Sequence, residues 1–197
     1  MKIVFYDQID CNSMLYNDLV KLLACCDTEF VPPLSSREGT RQKVFRENTE
    51  MSLSIVPTEY VNALMQQKSI LALSDDHLVG FMSFIFDFED NELFEPIYNK
   101  SGCNNYISTI CIDPSYRKQG IASMLYSYIE NDLPDPAKSC YVSTRTWSTN
   151  TGHLELLKKR GYTLTHTILR NRAHDGVEID TVYYCKELKQ IGGRING

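Results

Sequence analysis

The segment from Ile110 to Ala122, ICIDPSYRKQGIA, carries the residues best suited to do chemistry in this chain. A run of β-branched residues stops at Asp113-Pro114, and an apolar period near 3.6 residues starts at Gly120-Ile121. Proline cannot donate to a strand ladder, so a strand ends there. The helix that follows opens with backbone N–H groups that have no intrahelical partner, backed by the positive end of the helix dipole. Such a start attracts anions. Gly120 removes a side chain where a phosphate would approach the backbone, and Ala122 keeps the next contact small. Arg117 and Lys118 add positive charge beside it, in a chain of formal net charge −5. The ligand this segment predicts is a phosphorylated cofactor.

The other reactive residue types form weaker patterns. Seven cysteines are present with no C-x-x-C pair, so free thiols in a reducing compartment are expected, and neither a zinc ribbon nor a redox motif. Cys111 alternates in direction with Ile110 and Ile112 along a strand, and a buried, inert thiol is the expectation there. His77, His153, His166 and His174 show no metal-binding spacing, so no metal is expected. Neither G-x-x-x-x-G-K-[ST] nor G-x-G-x-x-G occurs, which disfavours a nucleotide-binding module. A pI near 5.4 argues against a nucleic-acid partner. The longest apolar run, Leu78 to Phe86, is half of what a membrane span needs, and MKIVFYDQID lacks the long apolar stretch of a signal sequence, so none is expected. The location these features predict is cytoplasmic, with no membrane partner.

The elements that must position this segment follow from periodicity. At 197 residues and 22.6 kDa the chain predicts one domain over 1–190 and a C-terminal tail over 191–197. Met1–Tyr6 reads as a strand, and Leu15 to Cys26 as a helix. Leu34 to Ser52 is polar with a weak helical pattern, and Thr58–Gln67 reads as a short helix after Pro57. Ser69–Ser74 and Leu78–Phe88 read as a hairpin about Asp75-Asp76-His77, followed by an acidic loop, Asp87–Glu95, and a strand, Tyr106–Ile112. Gly120–Asp132 is the clearest helix; Cys140–Thr146 is a strand, and Thr151–Arg160 a helix capped by Asn150 and ended by Gly161. Lys158-Lys159-Arg160 is expected to complement the end of that helix and to contact solvent. Tyr162–Leu169 and Ile179–Glu187 close the chain as a strand pair around Asp175-Gly176. The predicted order is β-α-α-β-β-β-α-β-α-β-β, a mixed α/β domain.

Within this frame the series Arg117, Lys118, Gln119, Gly120, Ile121, Ala122 resembles the acetyl-CoA loop of the GNAT superfamily of N-acetyltransferases, which reads Arg or Gln, two free positions, Gly, one free position, then Gly or Ala. The strand exit Ile112-Asp113-Pro114-Ser115-Tyr116 and the later series from Asn150 to Gly161-Tyr162 are also similar to that family. The resemblance implies a splayed central sheet with acetyl-CoA between the strands Tyr106–Ile112 and Cys140–Thr146. Pantetheine would pair with the backbone of Ile110, Cys111 and Ile112. The pyrophosphate would rest on N–H groups from Arg117 to Ser123, and Asn150, equally suited to cap its helix, would reach the pantetheine arm. An acceptor amine attacks the thioester directly in this family, with a backbone N–H, here that of Ile112, polarising the carbonyl.

Two departures from the family pattern stand out. Asn105–Ile112 contains no Asp or Glu, so the common strand carboxylate is missing, and Asp87 and Glu89 are the nearest candidate bases; a solvated acidic loop is their plainer reading. The Tyr that many members carry seven residues after the motif Asn is replaced by Leu157. His153 could protonate the departing thiolate, although solvent is favoured and a polar surface role is its plainer reading. The segment from Phe30 to Arg37 takes the place of the acceptor wall, and Trp147 could line it or simply pack. The expected function is acetyl transfer to a primary amine of a small molecule. The alternatives are a peptide or protein amine, or a non-catalytic acyl-CoA sensor. The resemblance also allows a homodimer.

Overall fold

Seven strands form one sheet, and its central break is the feature that creates the site. A computed structural model describes residues 1–10, 13–45, 51–90, 104–134, 139–174 and 176–188. The strands are β1 (Lys2–Tyr6), β2 (Arg41–Phe45), β3 (Met51–Pro57), β4 (Lys68–Ser74), β5 (His77–Ile85), β6 (Asn104–Ile112), β7 (Tyr141–Trp147), β8 (Thr163–His174) and β9 (Val177–Glu187). The helices are α1 (Met14–Cys25), α2 (Thr58–Met65), α3 (Ile121–Ser127) and α4 (Thr151–Lys159). The main sheet runs β1-β4-β5-β6-β7-β9-β8, and β2 and β3 pair separately. Only β6 and β7 pair in parallel among the described strands.

That parallel ladder is short. It joins Asn104–Ile107 to Tyr141–Thr144 and then stops. On the other side of β6, Ser83 faces Thr109 while Phe84 faces Ile107, so Ser108 is an extra residue, a β-bulge. A bulge bends its strand and increases the local twist. Beyond it β6 diverges from β7, and the last bond across the gap is Thr144 Oγ1 to the Ile107 carbonyl at 3.2 Å. The splayed sheet expected from the sequence is present.

Helices cover both faces. On one, Ile121, Leu125 and Tyr126 of α3 and Leu157 of α4 are buried against Met82, Phe84 and Ile107. On the other, Leu19, Leu22 and Leu23 of α1 and Leu64 of α2 pack with Leu71, Phe81 and Cys111. Each such side chain contributes about 1.5–3 kcal/mol by leaving water. Gly80 sets how closely α3 approaches: a Cβ there would lie 2.8 Å from Ile121 Cγ2 and 3.2 Å from Ile112 Cδ1.

The structure differs from the sequence reading at several elements. The stretch 34–52 is not helical but holds a 3-10 turn, Leu34–Ser36, the strand β2 and the start of β3; residues 46–50 lie outside the described set. The β3 alternation is inverted with respect to residue type: Ser54 and Val56 are buried while Leu53 and Ile55 face outward. The helix from Gly120 passes into a π turn at Tyr128–Asp132. Strand β5 ends at Ile85, and β8 runs on to His174. Most of the acidic loop 87–95, Asp175 and the tail 191–197 lie outside the described residues. Among the described residues no helix is long and apolar enough to cross a membrane.

Candidate active site

The strand exit, loop and helix expected to hold phosphate form one continuous corner. Asp113 Oδ1 accepts the Ser115 N–H at 2.8 Å, which fixes the turn Pro114–Tyr116 that leaves β6. Lys118 and Gly120 then take positive φ, 60° and 83°, and rotate successive amides outward. Successive amides turned this way make a concave anion cradle. The N–H groups of Lys118 through Ser123 donate to no protein acceptor among the described residues; the first helical bond is from Met124 to the Gly120 carbonyl at 3.0 Å. Lys118 and Gly120 to Ser123 edge a groove of about 310 Å³, whereas Gln119 does not line it. A Cβ on Gly120 would meet nothing within 4 Å, so a side chain there would stand in open groove.

The edge of β6 facing the gap offers a ligand the N–H and C=O of Ile110 and the N–H of Ile112, which have no partner among the described residues. Asp113 N–H donates to the Val79 carbonyl at 3.0 Å, which sets the antiparallel alternation with β5. Cys111 therefore bonds β5, while the N–H and C=O groups of Ile110 and Ile112 face the splay. The Ile112 carbonyl accepts from Arg117 Nε and Nη2 at 3.2 and 3.1 Å, and Arg117 also pairs with Glu29. The guanidinium of Arg117 is thus committed to bracing β6, and its backbone N–H is taken by the Pro114 carbonyl at 3.5 Å, so the expected N–H row starts at Lys118 and not at Arg117.

A second cavity, about 480 Å³, opens on the α1–α2 side of the gap. It meets the groove at Glu29, Ile110, Asn150 and His153, which line both. Its outer wall includes Phe30, Pro32 and Arg37, with Trp147 opposite on β7. Asp27 staples that wall, accepting from Ser35 N–H at 2.7 Å and Ser35 Oγ at 2.6 Å. Tyr60 from α2 bonds Thr109 at 2.9 Å inside it, and burial pushes the Tyr60 phenol pKa up.

Residues 35–162 match the sequence model of the acetyltransferase (GNAT) family. The chain belongs to that family. No curated protein matches it in sequence at a significant level. Solved structures with the same fold include Arabidopsis thaliana NAA60 in complex with a bisubstrate analogue, at 17% identity and TM-score 0.61, covering 95% of this chain and 98% of that one. An aminoglycoside 6'-N-acetyltransferase complexed with coenzyme A is 16% identical, with TM-score 0.60 and coverage of 95% and 97%. A ribosomal-protein-alanine N-acetyltransferase from Brucella melitensis is 15% identical, with TM-score 0.59 and coverage of 95% and 100%.

In this GNAT chain the predicted site residues divide into two groups. Ile110, Ile112, Arg117, Lys118, Gly120, Ile121, Ala122, Ser123, Asn150 and His153 come together around the groove, and Gln119 does not line it. Asp87 and Glu89 do not: Phe88, between them, pairs with Asn104 at the start of β6, and neither acid lines either cavity. Cys111 is a buried free thiol among apolar side chains and its pKa is raised, chiefly by hydrogen bonding with the neighbouring Cys26 thiol and by burial. Asn150 Oδ1 caps α4 by accepting the His153 N–H at 3.3 Å. The His153 ring bonds Tyr126 OH through Nε2 at 2.7 Å, and burial lowers its pKa to about 4. Leu157 is fully buried, and Tyr162 packs edge-on against Tyr126 in the core. Arg160 does not point to solvent; it forks onto Glu130 with two bonds of 2.9 Å, and Glu130 also takes Lys186 at 2.7 Å.

Sequence reasoning missed Glu29, which sits on the 3-10 turn after α1, more than eighty positions from the loop it joins. Its nearness to the predicted acceptor wall at Phe30 was the one available signal. Among the described residues no group of three or more His, Cys, Asp or Glu side chains could hold a metal ion.

Proposed function

We propose that this GNAT protein transfers the acetyl group of acetyl-CoA to a primary amine of a small molecule, by direct attack within a ternary complex. The observation that carries this reading is the row of N–H groups of Lys118 and of Gly120 to Ser123, unpartnered among the described residues, at a groove that joins a second cavity beside the splayed edge of β6. The N–H row suits a pyrophosphate. The Ile110 and Ile112 edge suits the amides of pantetheine, as an added strand would, and the Asn150 amide nitrogen is free among the described residues to join them. Bound acetyl-CoA supplies an activated acyl group with a thiolate leaving group. Ile112 N–H faces the splay and in this reading polarises the acyl oxygen, so catalysis rests on positioning and on an oriented dipole.

The remaining roles are proton transfers. An attacking amine must lose a proton. Glu29 is the one carboxylate among the described residues that lines either cavity, and it replaces Asp87 and Glu89 as our candidate base. His153, with its pKa lowered to about 4 by burial, is neutral near pH 7 and orients through Tyr126. Solvent protonates the departing thiolate in this reading. A cavity of about 480 Å³ matches a small acceptor better than a folded surface.

The test is thiol release from acetyl-CoA in the presence of amino acids, polyamines, aminoglycosides and peptide N-termini. Turnover with a small amine supports the reading. Turnover confined to peptides moves the acceptor class, and acetyl-CoA binding by calorimetry without turnover of any amine makes the protein a sensor instead.

A further inference from the structure

Three arginines from three separate elements converge on the acceptor cavity: Arg37 from the wall after α1, Arg145 from β7 and Arg172 from β8. Arg37 is held in place before any ligand arrives. Its Nε and Nη2 donate to the Pro32 carbonyl at 3.1 and 2.9 Å, and its guanidinium lies 5.1 Å from the Tyr60 ring centroid and 5.6 Å from that of Phe30. Against the cost of its burial, the nearby phenols of Tyr106 and Tyr183 favour the charged form of Arg145. Among the described residues none of the three has a carboxylate within 4.0 Å, in a chain with 25 Asp and Glu against 20 Lys and Arg. Burial, and after it the charges of Arg172 and Arg145, lower the Arg37 pKa, so the three guanidinia feel one another. Glu29, the lone acid of the cavity among the described residues, is already paired with Arg117.

Like charges gathered in a cleft repel unless an anion enters between them, and guanidinium forks fit carboxylates with two parallel bonds. We propose that the acceptor is an amine that also carries a carboxylate, an amino acid or a close relative, and that Arg37, Arg145 and Arg172 hold this anionic end. The amine end is thereby directed towards Glu29 and the Ile110–Ile112 edge. The proposal rests on the acetyl-transfer reading and adds the acceptor's chemical class to it. The same field disfavours polycations such as polyamines and aminoglycosides. Arg37, Arg145 and Arg172 line the acceptor cavity and none of the three lines the phosphate groove, so they serve the acceptor and not the cofactor.

Matched pairs test this: each amino acid against the primary amine with the same side chain and no carboxylate, in the thiol-release assay. Aminoalkylphosphonates form a separate arm that tells a carboxylate site from a general oxyanion site. Loss of the carboxylate is expected to lower kcat/KM at least a hundredfold. Arg172→Gln, at an exposed position where folding is least at risk, is expected to raise the amino-acid KM tenfold or more. It should leave the KM for acetyl-CoA within twofold, and Arg145→Gln should behave alike. Better turnover of phosphonates than of carboxylates overturns the carboxylate assignment. Equal or better turnover of carboxylate-free amines or polyamines overturns the whole inference while acetyl transfer stands, as does an arginine variant that weakens acetyl-CoA instead. Tight acetyl-CoA binding without turnover of any amine overturns the transferase reading and this inference together.

Discussion

Two side chains at the junction of the cavities separate chemistry from support. If Glu29 takes the amine proton, Glu29→Gln should lower kcat/KM roughly a hundredfold. The loss should shrink as pH rises and the free amine becomes abundant, which a pH–rate profile would record; a uniform loss at every pH would point to the Arg117 brace instead. His153 acts on stability. Its pKa falls from 6.5 to about 4 on folding, so between those values the unfolded chain binds a proton that the native state does not. Stability tied to neutral His153 is complete above pH 6.5 and is lost as pH falls towards 4, by at most roughly 3 kcal/mol. His153→Gln keeps a partner for Tyr126 and should flatten the melting temperature across that window. A slope equal to the wild type would remove His153 from the explanation.

At the scale of elements, the distance between α3 and β5 governs the cofactor groove. A Cβ at Gly80 would come within 2.8 Å of Ile121, the first residue of α3. Gly80→Val should therefore push the helix start away from Ile112, destabilise the fold by about 1–3 kcal/mol and weaken acetyl-CoA at least tenfold. Chemical denaturation and calorimetry measure the two effects. Unchanged affinity in a destabilised variant would mean that the loop moves independently of the helix. The far end of the same layer is latched by Glu130, 4% exposed, which ties the π turn to Arg160 after α4 and to Lys186 on β9. The amphipathic period of α3 and α4 was legible because it is local, whereas the latch joins residues 30 and 56 positions apart. That is why Arg160 read as a solvent-facing charge.

For the whole molecule, a ligand that binds only the native state adds stability by mass action. Acetyl-CoA at a hundred times its Kd should contribute about 2.7 kcal/mol. For a domain of this size that raises Tm by about 5–10 °C. Gly120→Glu puts a bulky anion against the pyrophosphate and should abolish the shift while the unliganded fold persists. A shift of wild-type size in Gly120→Glu would show that the phosphates lie elsewhere. The molecule's net charge of −5 gives no warning of a cavity with three guanidinia, because net charge is a sum and the field in a cleft depends on which charges the fold gathers there.

The sequence by itself determined the corner from Ile110 to Ser123. A strand stop at proline, a glycine at positive φ and an apolar helical period are all set by neighbours within a few residues. It also determined the α4 cap at Asn150 and most strand positions, for the same local reason. Only the tertiary structure decided where β6 leaves β7, since a bulge at Ser108 is visible only once Ser83 and Phe84 are paired across the sheet. The β2–β3 pair stayed hidden because Ser54 faces inward and Leu53 outward, against their hydropathy. Glu29, Arg37, Arg145 and Arg172 are spread over 144 positions and meet only when the splayed sheet draws α1, β7 and β8 to one opening. Local pattern dictates an element's shape; convergence of distant side chains comes from how those elements pack.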